Sequence, residues 1–370
     1  MNAPLYTPGT ADAAGLEART VGREALLARL VQRLRTAATD GSRPHALLVG
    51  PRGSGKTHTV RVALNRTLAS HADHVLPLII PEDALAIGSY ADLLVELLRT
   101  RRADAKDLRD DVVELERTIL DIADGRMVLA VIENLDRVFD AIGEAGQGSL
   151  RAWVETSTAV TIFATAPRLF PGVSSRSHPW YGSFIIENLT DLSVADGARI
   201  VAATARDRGD DELADYVRSA DGTHRLSQIA AVTGGAPRIW RMVGDVADHQ
   251  GLAAVTPVLT ALLDRLTPLY QHRLWELPPG EQRLVVEIAR GDGPRTVSDL
   301  AAAVGVSNQT ASAALGRLVA AHWVTAAKSD TGDRRATWYD LTEPLVRHIL
   351  RYREGQPPAE TTVDGAKQPD

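Results

Sequence analysis

Residues 50–57, Gly-Pro-Arg-Gly-Ser-Gly-Lys-Thr, satisfy the pattern G-x-x-x-x-G-K-[ST] at every fixed position. This segment restricts the fold more than any other, because the pattern works only between a buried strand and a helix N-terminus. Both neighbours are present. His45–Val49 (His-Ala-Leu-Leu-Val) is a short apolar run suited to a buried strand, and Thr57–Asn65 has helical spacing. Gly50 and Gly55 allow a tight turn whose N–H groups converge on phosphate oxygens, with Gly53 among the candidate phosphate-side residues. Lys56 supplies a point charge for the β/γ-phosphates, and the Thr57 hydroxyl is placed to hold Mg²⁺. Pro51, Arg52, Ser54 and His58 complete the candidate phosphate-side set. The pattern implies binding of a nucleoside triphosphate.

The strand before the loop is the first of several. Val75–Ile80, Met127–Ile132, Val160–Ala164 and Phe184–Ile186 are further continuous apolar runs, separated by helical segments. That alternation predicts a parallel sheet covered on both faces. Residues 17–190 are therefore expected to form an α/β core, and 191–266, with only helical periodicity, an α-helical second block. A third block, 267–354, starts after Pro268 and ends in a small β element. Residues 1–16 and 355–370, rich in Ala, Gly, Pro and polar residues, are expected to be disordered. The polar stretch 101–117 reads as a solvated helix with charge pairs, and Trp180-Tyr181 as aromatics packed under the second block.

A phosphate loop needs an acidic partner at the end of a neighbouring strand to place Mg²⁺ and water. Met127–Ile132 is followed by Glu133-Asn134-Leu135-Asp136. Glu133 is the expected Mg²⁺ partner, through water. Asn134 stands where hydrolytic enzymes usually carry glutamate, and an amide orients water but does not accept its proton. Slow turnover follows, unless the strand ends one residue differently and Asp136 takes the role.

These residues resemble the AAA+ ATPases, specifically the branch with replication-initiator ATPases and related signal-transducing ATPases. The resemblance covers roughly 17–350 and implies a P-loop NTPase core, an α-helical lid and a C-terminal winged-helix domain. Thr20-Val21-Gly22-Arg23-Glu24 is similar to the family's GRE box, so Val21, Gly22 and Arg23 are expected beside the adenine. Thr165, in Ala164-Thr165-Ala166, takes the place of the family's polar γ-phosphate sensor. Gly234-Gly-Ala-Pro-Arg238 is similar to the G-x-P-R sequence that presents an arginine sensor from the lid, making Arg238 the second sensor. The family also inserts an arginine from a neighbouring subunit. Arg176 matches that place best, with Arg168 as the alternative. Nucleotide-dependent self-association is implied, and Glu133-Asn134 departs from the family's acidic pair.

The third block has helix-turn-helix spacing. An amphipathic helix over 281–289 is followed by one over 296–304 with Ser298 as N-cap, the turn Gly305-Val306-Ser307, and a helix over 308–321. Trp323-Val324 and Thr337–Leu341 read as strands around Ser329–Arg335, resembling the wing of a winged helix. If this domain binds DNA, Asn308, Gln309, Thr310 and Ser312 face the major groove, and Lys328, Arg334 and Arg335 touch phosphates. Its charge is a counter-argument: Gln271–Glu354 holds eleven Lys and Arg against ten Asp and Glu, a weak basic footprint. A protein-docking winged helix in a signalling or defence switch is the alternative partner class.

The chain has no cysteine, which excludes disulfide and thiol chemistry, and a net charge of −6 gives no general attraction for nucleic acid. No histidine pair has metal-ligand spacing and no G-x-S-x-G elbow occurs. No apolar run approaches a membrane span and no leader pattern is present, so the expected location is the cytoplasm. The combined expectation is an ATP- and Mg²⁺-dependent switch that couples nucleotide state to DNA binding.

Overall fold

The computed structural model describes residues 11–354, apart from 103, 322 and 329–336. The chain forms two compact units, Met1–Asp191 and Leu192–Asp370. In chain order the first contains α1 (Ala13–Ala18), α2 (Glu24–Asp40), β1 (His45–Val49), α3 (Lys56–His71), β2 (Val75–Ile80), α4 (Tyr90–Leu98), a 3₁₀ turn (Ala105–Leu108) and α5 (Val112–Ala123). It continues with β3 (Met127–Ile132), α6 (Leu135–Ser157), β4 (Val160–Ala166), α7 (Pro171–Ser174) and β5 (Phe184–Asn188). The five strands are parallel in the order β2-β3-β4-β1-β5.

Period-two geometry explains why these strands read as unbroken apolar runs. Leu47, Val128, Ala130 and Ile132 point to a core shared with α4, α5 and α6. Their sequence neighbours Ala46, Leu48, Leu129 and Val131 point to the opposite core, lined by α2 and α3. Every position on β3 is buried, as a central strand with helices on both faces demands. Trp180 belongs to the first of these cores. Only 1% exposed, it packs on His45, Phe139 and Phe184 and donates from Nε1 to the Gln147 carbonyl at 3.0 Å.

Three expectations need correction here. Order extends into 12–16: the Asp12 side chain caps α1 by accepting from Gly15 N–H, and Leu16 is 2% exposed in the α2–α3 core. Burial of that leucine contributes about 1.5–3 kcal/mol toward docking this short helix; residues 1–10 and 355–370 lie outside the described residues. The stretch 101–117 is not one helix, because Asp111 accepts from Glu114 N–H and starts α5 afresh. The boundary at 266/267 falls inside a helix, described next.

The second unit comprises α8 (Val194–Asp207), α9 (Asp211–Tyr216), α10 (Ala220–Thr233), α11 (Pro237–Val246), α12 (His249–Ala254), α13 (Thr256–Trp275) and α14 (Pro279–Arg290). Then come β6 (Arg295–Thr296), α15 (Val297–Val304), α16 (Asn308–Ala320), β7 (Val324–Lys328), β8 (Thr337–Leu341) and α17 (Pro344–Arg353). Helix α13 continues through Pro268. An interior proline costs about 3 kcal/mol, but Leu259, Leu262, Leu263, Leu266, Tyr270 and Leu274 are buried on either side of it. One continuous core therefore serves both the lid helices and the winged helix. Their seam carries a polar clasp: Glu343, beside α17, accepts from Tyr270 Oη and from Arg273 Nη1 at 3.2 Å, and the Arg273 guanidinium stands 4.8 Å over the Trp323 ring.

Candidate functional site

The phosphate loop leaves the C-terminal end of β1, in the crevice where α/β sheets hold ligands. Gly50 N–H donates to Ala166 O at 3.2 Å, anchoring the loop to β4. A Cβ on Gly50 would lie 2.7 Å from Ser54 Oγ and 3.2 Å from Leu189 O, so only glycine fits. Gly53 and Gly55 turn the chain at φ 85° and 91°, the left-handed region that L side chains avoid. Lys56 Nζ curls back over the loop and donates to Gly50 O at 2.7 Å and Pro51 O at 3.1 Å. Ser54 Oγ is buried and without a hydrogen-bond partner among the described residues. The loop thus combines a cradle too tight for side chains, a cation at the mouth and an orphaned hydroxyl, features that suit an anion. Burial lowers the Lys56 pKa, while Glu82, Asp136 and Glu133 act in the opposite sense.

The acidic element meets the loop directly. Thr57 Oγ1 donates to Glu133 Oε2 in a short hydrogen bond, and Glu133 is only 4% exposed. A hydroxyl and a carboxylate oxygen brought together this way are hard donors of the kind Mg²⁺ takes. Burial raises the Glu133 pKa; the Thr57 hydrogen bond, Arg61 and Lys56 oppose the rise. The strand ends at Ile132, so Asp136 does not enter by a shifted strand end. It lies instead in the first turn of α6, where burial raises its pKa against the Arg137 and Asp136 backbone N–H groups and Arg168.

Asn134 turns the chain from β3 to α6 at φ 55°, ψ 54°. Asparagine tolerates that conformation better than glutamate does, a local reason for the amide at this position. Its N–H donates to Thr165 Oγ1 at 3.1 Å, so two residues singled out separately in the sequence are joined across β3 and β4. Arg168 is half-buried, with Nη1 enclosed; burial lowers its pKa, and Asp136 and Asp140 of its own chain act in the opposite sense. Arg176 is exposed beside the end of α7.

The GRE segment reaches the loop through Arg23, whose Nη2 donates to Ser54 O at 3.4 Å and Thr190 O at 2.5 Å. Gly22 adopts φ 69°, and Val21 is half-buried. His58 Nε2 pairs with Thr20 Oγ1 at 3.0 Å, and burial depresses its pKa to about 4. Arg238, in the second unit, occupies the first turn of α11 behind Gly234 at φ 77°. A cation there opposes the helix dipole, a placement that favours an anionic partner.

In the winged helix, Thr296 rather than Ser298 caps α15. Its side chain accepts from Asp299 N–H while Asp299 accepts from Thr296 N–H, a reciprocal capping box that a lone serine cannot form. Gly305 turns at φ 72° into α16. Asn308, Gln309, Thr310 and Ser312 are all exposed, while Ala311, Ala314, Leu315 and Leu318 are buried, so the polar residues form one outward face. Lys328 is exposed at the end of β7; Arg334 and Arg335 lie outside the described residues. Antiparallel β8 pairs with both β7 and the two-residue β6, which its length hides in the sequence. Two further charges were not legible. Glu82 pairs with Arg52 at 3.5 Å beside the loop, and buried Glu281 accepts from Arg317 Nε of α16 at 2.6 Å. Neither belongs to a motif.

The Walker-type ATPase of Pyrococcus abyssi superposes with a TM-score of 0.63 at 16% identity, covering 90% of this chain and 96% of its own. The ORC2 protein of Aeropyrum pernix, solved in ADPNP–ADP complexes, gives 0.59 at 15%, covering 96% and 98%. Aeropyrum pernix ORC1, solved with DNA, gives 0.52 at 17%, covering 90% and 93%. The fold is that of an AAA+ ATPase with a winged helix. The MarR family profile matches residues 275–336 of this chain, which contain α15, α16 and β7. No curated protein sequence matches it. Among the described residues, no helix is long and apolar enough to cross a membrane, and no group of three or more His, Asp or Glu side chains is disposed to hold a metal.

Proposed function

We propose that this chain is an ATP-binding switch with slow hydrolysis, which couples nucleotide state to DNA binding through its winged helix. The observation that carries the reading is the junction of Thr57, Glu133, Asn134 and Thr165 around a glycine-built loop. On this reading Lys56 releases the loop carbonyls to meet the β/γ-phosphates, and Mg²⁺ sits against Thr57 and Glu133. Thr165 and Asn134 face the γ-phosphate region, and Val21, Gly22 and Arg23 border the adenine. Arg238 senses the γ-phosphate from the lid, and Arg176 completes the site of a neighbouring copy, so self-association follows nucleotide. Lid helices and winged helix share one core, which supports their moving as one piece when nucleotide changes.

The outward polar face of α16 supports DNA as the partner. A protein partner is the second reading, favoured by the near-neutral charge of 271–354 and by the small exposed Ala313 and Gly316 on the same helix. Isothermal titration of MgATP tests the input half. Binding lost in Lys56→Ala and weakened without Mg²⁺ is expected; equal affinity in Lys56→Ala would refute the site assignment.

A further inference from the structure

We infer that Asp136, rather than Asn134, accepts the proton of the attacking water, with Arg168 of the same chain as its positioning partner; this rests on the triphosphate reading of the loop. Three carboxylates bear on Lys56: Glu82, Asp136 and Glu133. Glu133 is committed to the Thr57 hydroxyl. Glu82 is half exposed, pairs with Arg52 and has water as its surroundings. Asp136 alone combines a place at the β3–α6 turn with a buried oxygen, Oδ1, that has no hydrogen-bond partner among the described residues. This unpaired carboxylate oxygen, in the first turn of α6 after β3, has the lone pair that proton transfer requires.

The geometry around it assigns the other parts. The Asn134 N–H bond to Thr165 Oγ1 fixes the end of β3 against the end of β4. Arg168 follows Thr165 by three residues, and Asp136 is the first of the two carboxylates that act on it. Its enclosed Nη1 has no hydrogen-bond partner among the described residues, so Asp136 and Arg168 are complementary half-satisfied groups on adjacent strand ends. The guanidinium and the N–H groups at the start of α6 favour the charged form of Asp136, opposing the effect of burial. In hydrolysis the water oxygen forms a bond to the γ-phosphorus. The bond from that phosphorus to the β–γ bridging oxygen breaks, and its electron pair leaves with ADP. The water proton passes to Asp136 and then to solvent. The Asn134 amide orients the water without taking the proton. Arg168 is half-buried near Asp136 and Asp140 of its own chain, which leaves the exposed Arg176 as the arginine for a neighbour.

The test measures single-turnover hydrolysis of ATP by the full chain, alongside binding of a fluorescent ATP analogue. Asp136→Asn should lower the hydrolytic rate by about 100-fold, in the range of a lost general base, with nucleotide affinity unchanged. Asp136→Glu should retain part of the rate, and Asn134→Ala should lose roughly tenfold or less. Arg168→Ala should reduce the rate at saturating ATP without raising KM, and Arg168→Lys should restore part of it. Hydrolysis by Asp136→Asn at the unmodified rate, or no turnover in an unmodified protein that binds ATP, overturns the inference. A larger loss in Asn134→Ala than in Asp136→Asn also overturns it. Failure of the unmodified chain to bind the analogue refutes the triphosphate reading instead.

Discussion

One substitution, glycine to alanine, should have opposite effects at two positions of the second unit. Gly197 lies within α8, and a Cβ there would stand 2.3, 2.4 and 2.7 Å from three ring atoms of Trp240. Ordinary carbon contacts are about 3.5–4.0 Å, so the ring must retreat by roughly 1 Å. Trp240 is fully buried, so its ring moves only by displacing the side chains packed around it. Overpacking of this kind costs about 1–3 kcal/mol, while alanine regains up to about 1 kcal/mol of helix propensity. Gly197→Ala should therefore lose on the order of 1–2 kcal/mol net. Gly316, on the exposed face of α16, has nothing within 4 Å of a built Cβ. There only the propensity term acts, and Gly316→Ala should gain up to about 1 kcal/mol. Urea unfolding of the full chain, followed by far-UV circular dichroism, should move the second unit's midpoint down by roughly 0.5–1 M for Gly197→Ala and slightly up for Gly316→Ala. A raised midpoint for Gly197→Ala, or a lowered one for Gly316→Ala, would refute the packing argument.

Gly50→Ala, which sets a methyl 2.7 Å from Ser54 Oγ, should weaken ATP binding by about tenfold or more, measurable by titration calorimetry. Arg317→Ala leaves the Glu281 carboxylate buried and unpaired and should destabilise the second unit by about 1–2 kcal/mol, with partial rescue by lysine; an unchanged melting temperature would count against the pair. Burial depresses His45 and His58 to about 4 from 6.5, so both are neutral in the fold. The unfolded chain then binds more protons between those values. Stability of the first unit is full above pH about 6.5 and falls as pH drops toward about 4, by at most about 3 kcal/mol for each histidine. A thermal midpoint flat across that window would contradict this.

The central strands were legible because a strand covered on both faces has few polar positions to confuse the pattern: β3 has none, and β1 only His45 at its start. The phosphate loop was legible because its glycines are forced by geometry: two by positive φ and one by Ser54 and Leu189. Other features depend on tertiary packing and leave no local mark. Pro268 reads as a break, yet the buried leucines around it carry α13 through. Thr296 and Ser298 are equally good caps by residue type, and the position of Asp299 decides between them. Asn134 was visible as a departure from an acidic pair. Its left-handed backbone, which supplies a reason for the amide, was not. Arg168 and Arg176 look alike as loop arginines; only the carboxylates near Arg168 distinguish them.

The central claim is that nucleotide held at the loop changes the affinity of the winged helix for DNA. It is tested most directly by the affinity of the full chain for duplex DNA with MgATP analogue, with MgADP and without nucleotide, at two salt concentrations. The account predicts salt-dependent binding that differs at least several-fold between the ATP and ADP states, with the difference abolished in Lys56→Ala. Identical affinity in all three states, or no salt-dependent binding to duplex DNA, would contradict it.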